Sequence, residues 1–71
     1  MTKYVAFIRH HGTSRQLDCG SDRSRAFEIV EQEFDDGLLD HEVVIYAVAD
    51  DRPPEIFARR RVGDEQWILE A

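Results

Sequence analysis

The sequence predicts an α+β fold, with one antiparallel β-sheet of 4–5 strands and a single helix packed on one face, in the order β(β)αβββ. Three observations carry that prediction. Apolar residues recur at helical spacing in one segment only, residues 24–34. Residues 3–9 and 42–49 are short runs rich in β-branched and aromatic side chains. A Gly63-Asp64 pair separates two further strand-like runs, as a tight hairpin turn would.

Taken in order, residues 3–9 read as a strand with apolar side chains on both faces. His10-His11-Gly12-Thr13-Ser14 is a turn, with Gly12 free to take positive φ. Residues 15–20 are a candidate return strand, which is why one strand stands in parentheses. Ser21 or Asp22 can accept a hydrogen bond from the unpaired amides of a helix's first turn. From Ser24 onward Phe27, Val30 and Phe34 share a face with Ala26 and Ile29, opposite Glu28, Glu31, Glu33 and Asp35. Gly37 suits the position after a helix end, with Leu38 folding back near Phe34. Asp35 and Asp36 run against the helix dipole, whose C-terminal end favours cations.

In residues 42–49, Val43, Ile45, Ala47 and Ala49 point one way and Val44, Tyr46 and Val48 the other. Asp50 to Pro54 is expected to be a stiff turn, since neither proline can donate a ladder bond. A strand from Ile56 to Val62 and another from Gln66 to Glu70 would flank a type II′ turn at Gly63-Asp64. That register sets Val62 against Glu65, Arg60 against Trp67 and Ala58 against Leu69 on the core side, with Arg60 lying along the Trp67 ring and its head in water. Arg61 against Gln66, Arg59 against Ile68 and Phe57 against Glu70 form the wetter side.

A chain of 71 residues is expected to be a single small domain, burying only about 60% of its unfolded surface. At 42% hydrophobic and 34% charged residues it is neither collagen-like nor too polar to fold. The one cysteine, Cys19, allows no internal disulfide and suggests a reducing, cytoplasmic setting. The apolar run at residues 4–8 is too short for a signal peptide and ends at Arg9 and two histidines. No stretch reaches the roughly 20 apolar residues that span a bilayer. The net charge of −6 is uneven: residues 1–25 carry +3, residues 26–57 carry −9 and the remainder balances. An acidic field argues against binding nucleic acid and suits a protein partner.

One helix of about four turns covers one face of such a sheet, yet the strands near 4–8 and 43–49 are apolar on both. Val5, Phe7, Val44, Tyr46 and Val48, with Phe57, are expected to line the uncovered side. The reading that follows is a non-catalytic protein-interaction module, with no cofactor, whose simplest partner is another copy of itself.

Phe7-Ile8-Arg9-His10-His11-Gly12-Thr13 resembles the strand and Arg-His-Gly opening of the histidine phosphatases. That resemblance implies a phosphorylated histidine and an arginine gripping the phosphate, making a small enzyme or phosphate binder at the His10, His11 and arginine region one alternative. Here His10, not an arginine, precedes His11, and the rest of such a domain exceeds this length. His10, His11, His41, Cys19 and Asp18 are the right types for a metal but show no chelating spacing. His10 and His11 as strand neighbours would point to opposite faces, so the reading is separate surface groups and no metal. Cys19 beside Asp18 lacks the cationic setting of a nucleophile.

In Arg59-Arg60-Arg61 only Arg59 and Arg61 share a face; they could grip phosphate with Arg52, or pair with the acids nearby. Glu28, Glu31, Asp35 and Asp36, with Arg59 and Arg61, make a candidate charged partner surface. A phage-type inhibitor such as an anti-CRISPR, whose carboxylates imitate a phosphate backbone to occupy a nucleic-acid-binding protein, is the first alternative, ahead of the enzyme or phosphate binder.

Overall fold

The computed structural model describes residues 2–34 and 40–70. Its strands are β1 (Lys3–His10), β2 (Thr13–Asp18), β3 (Glu42–Ala49), β4 (Arg52–Arg60) and β5 (Ile68–Leu69), and helix α1 (Arg23–Phe34) follows β2. The strands form one antiparallel sheet in the order β2-β1-β3-β4-β5, so the expected α+β layout holds. No described helix is long and apolar enough to cross a membrane.

The bracketed strand exists. His10 pairs with Thr13 across a two-residue loop in which His11 (φ 50°) and Gly12 (φ 78°) are both left-handed, the φ signature of a hairpin turn that follows strand twist. Its strand begins two residues earlier than expected and stops at Asp18. Beyond it the Cys19 amide donates to the Tyr4 carbonyl at 2.9 Å, and the Tyr4 amide to Gly20 at 2.7 Å.

Asp22 starts the helix. Its Oδ1 accepts from the Ser24 amide at 2.9 Å, and its carbonyl accepts the first helical bond from Ala26 at 3.2 Å. The helix buries Ala26 and Val30 against the inward row of the sheet: Ala6 and Ile8 of β1, Val43 and Ile45 of β3, and Ala58 of β4. Phe27 and Ile29 flank that contact. The expectations for Asp35, Asp36, Gly37 and Leu38 lie outside the described residues.

β3 matches its prediction residue for residue; β4 does not. The strand starts at Arg52, so Pro53 and Pro54 lie inside it rather than in a turn. They are tolerated because the β3–β4 register slips between Ala49 opposite Arg52 and Ala47 opposite Glu55, so the prolines fall where no ladder bond is required. A second slip, from Ile45 opposite Ala58 to Tyr46 opposite Ile56, leaves Phe57 as an extra residue. This bulge turns both Phe57 and Ala58 toward the helix. Phe57 is only 5% exposed, with its ring 5.1 Å from Tyr4 and 5.5 Å from Phe27. The expectation that Phe57 lines the uncovered side is therefore corrected, and Ile56 stands there instead.

The β4–β5 register is as predicted, Ala58 opposite Leu69 and Arg59 opposite Ile68. The turn is not. The Asp64 amide donates to the Arg61 carbonyl at 3.0 Å, which makes Gly63 (φ 88°) the third residue of an Arg61–Asp64 turn. The strands accordingly stop at Arg60 and resume at Ile68. Asp64 also accepts from the Arg61 amide through Oδ2 (3.2 Å), satisfying a backbone group that a longer ladder would have paired, and from the Arg60 side chain through its carbonyl (Nε, 2.7 Å). Arg60 does lie over Trp67, 5.8 Å from the ring centre, but its head is held inside rather than in water. Glu31 completes the arrangement, accepting from Trp67 Nε1 at 3.2 Å and standing 3.9 Å from the Arg60 guanidinium.

Candidate interaction face

Alternation along the central strands sends Val5 and Phe7 of β1 and Val44, Tyr46 and Val48 of β3 to the side away from α1. The register sets Phe7 against Val44, and Val5 and Ile56 on either side of Tyr46. Phe7 and Tyr46 meet edge to face with ring centres 5.3 Å apart. No described element packs across this face. Phe7 and Ile56 are each 43% exposed, while Val5, Val44, Tyr46 and Val48 keep the partial cover that neighbouring side chains on a sheet give one another. Val5, Phe7, Gln16, Tyr46, Val48 and Pro54 bound a shallow hollow of about 410 Å³.

Charged residues surround this apolar area in nearly equal numbers. Arg9 lies 3.9 Å from Glu42, and Arg59 Nε lies 2.7 Å from Glu70 Oε1, close in distance but out of line for a hydrogen bond. Lys3 and Asp18, placed by their pairing with Val48 and Val5, stand at other corners. Three cations thus face three anions, with Arg61 just past the end of β4.

The charged residues predicted from sequence do not form one surface. Glu28 and Glu31 are on the helix side, Arg59 on the opposite side, and Asp35 and Asp36 outside the described residues. Glu31 is engaged with Trp67, as above, and Glu33 holds Arg15 at 2.7 Å. The arginine–histidine motif divides as well. Arg9 belongs to the open face, whereas His10 projects to the helix side, where Ile8, His10, Thr13, Ser14, Arg15 and His41 border a polar recess of about 320 Å³.

His10 and His11 do not point apart as strand neighbours would, because His11 is left-handed; their ring centres are 4.0 Å apart, and His41 stacks on His10 at 4.2 Å. The proton affinity of His10 is lowered by partial enclosure first and then by His11 and His41, against an opposing pull from Asp40. Cys19 is at the other end of β1 beside Tyr4, about 20 Å away at the rise of a β-strand. It is buried, and burial foremost, with the Asp18 charge, pushes its thiol pKa up. Neither Cys19 nor Asp18 joins the histidines.

Sequence reasoning missed Ile56, because no residue pattern announced the bulge, and it missed the histidine cluster. No local pattern announces the latter either: only the β1–β3 pairing, continued one step past Arg9 opposite Glu42, sets His10 opposite His41. Comparison with known proteins finds no family model, curated protein or solved structure that matches this chain.

Proposed function

We propose that the chain is a protein-interaction module whose open sheet face pairs with the same face of a second copy. The observation that carries this reading is an apolar stripe that no described element covers, ringed by balanced charge, on a chain whose net charge is −6. The rest of the chain carries the net acid excess; on this face like charges need not oppose, and a two-fold axis can bring Arg9 or Arg59 of one copy near Glu42 or Glu70 of the other. The four extended strands β2, β1, β3 and β4, three strand spacings wide, give a face of about 26 by 14 Å, so a face-to-face pair covers about 700 Å², in the range of weak, transient encounters. The dimer is therefore weak and reversible.

Sedimentation velocity from about 1 to about 100 µM, the range of weak interfaces, should show monomer passing into dimer. The dimer should persist in about 0.5 M salt, where screening reaches only a few ångströms. Phe7→Lys and Tyr46→Lys should each leave a monomer with unchanged far-ultraviolet circular dichroism. A wild-type chain that stays monomeric throughout, or folded variants that still dimerise, would sink the reading.

A further inference from the structure

The three histidines come together by two independent devices. Arg9 faces Glu42 at the end of the β1–β3 ladder, and the next positions outward are His10 and His41. The left-handed conformation of His11 then folds the following imidazole back onto the first instead of sending it across the sheet. A positive φ at a residue other than glycine costs free energy, and here it gathers a third ring into the patch. His11 is exposed and His10 and His41 are half-buried, so none is committed to the core.

We infer that His10, His41 and His11 form a binding site for a late first-row divalent cation such as Zn²⁺ or Ni²⁺. Imidazole nitrogens are the donors these ions prefer, at about 2.0–2.1 Å. Directly opposed cross-strand residues hold their Cβ atoms about 4.5–5.5 Å apart, a spacing from which two imidazoles can reach one ion. In the unliganded arrangement His41 stacks on His10, and among the described residues no group of three or more histidine, cysteine or acidic side chains is arranged to hold a metal ion, so binding requires the rings to turn. Closing on one requires only rotation about the side-chain torsions of partly solvated rings, with the backbone left as it is. Asp40 adds a carboxylate near enough to act on His10 electrostatically. The ligand form is neutral imidazole, so the ion competes with protons for these rings. The ion would tie the β1–β2 turn to the start of β3.

The test uses untagged protein titrated with ZnCl₂ and NiCl₂ by calorimetry at about pH 7.5, with histidine ring resonances followed by NMR. One equivalent should bind, shift the His10 and His41 ring signals and raise the thermal midpoint, and binding should be lost at about pH 5 as the rings protonate. His10→Asn and His41→Asn should each weaken binding at least about tenfold, with folding checked by circular dichroism. Absence of heat and of ring shifts, or equal affinity in a folded His10→Asn/His41→Asn double variant, would overturn the assignment.

Discussion

Val43 and Ile45 are wholly inaccessible under α1, whereas Val44 and Tyr46, one peptide away along the same strand, have among the described residues only lateral neighbours for cover. The two rows are alike in composition and differ in what lies above them. On the helix side burial is completed within the chain: Ala26 and Val30 close over Ala6, Ile8, Val43, Ile45 and Ala58, and Phe57 fills the flank against Tyr4 and Phe27. On the other side the same kind of residue stops at the solvent boundary with charges around it. The difference teaches that strand composition sets how much apolar surface a sheet carries, while the number of helices sets how much the chain can hide.

The sharpest way to break the comparison is to truncate the same residue type on each side. Phe57→Ala should lower unfolding free energy by about 3–5 kcal/mol, because it empties a buried ring site. Phe7→Ala should cost less than about 1 kcal/mol when urea unfolding is followed at concentrations too low for association, since that ring is already partly in water. Equal costs would mean the two faces are equally covered. Loosening the lid is the next test: Asp22→Ala should cost about 1 kcal/mol in the same measurement by removing the N-cap, with no effect on the open face.

The smallest effect is a pH dependence. The His10 pKa is lowered in the folded chain, so between that value and the ordinary histidine value of about 6.5 the unfolded chain holds the proton more tightly. Stability should therefore be unaffected above about pH 7.5 and fall as pH drops through the histidine range, and His10→Asn should flatten the slope. A slope unchanged in that variant would assign it to other groups.

Much of the covered face was legible in the sequence. The 3.6-residue spacing of Ala26, Phe27 and Val30, the alternation of β3 and the Asp22 cap are local signals, and each element formed as its signals dictate. What escaped were consequences of pairing between segments. Phe57 reads as an outward residue by strict alternation, and only the extra residue in β4 turns it inward. The prolines read as a turn because nothing in their own neighbourhood tells that the ladder lapses beside them. Of the open face, Val5, Phe7, Val44, Tyr46 and Val48 follow from alternation alone, whereas Ile56 depends on the bulge and the charge ring on the register of four strands. His10 and His41 are thirty-one positions apart in sequence, so their contact is a property of the ladder.

The prolines in β4 have a bearing on how copies can meet. An unprotected sheet border invites another chain to add itself strand by strand, the route to fibrils. Along its first half β4 has no outer neighbour, and Pro53 and Pro54 offer no amide there; at the opposite border β2 shows Arg15, Gln16 and Asp18 to solvent. Growth sideways into a continuous ribbon is thereby discouraged at both margins, and under the dimer proposed above the greasy surface that the fold leaves over would be shared broadside, in an assembly that closes after two.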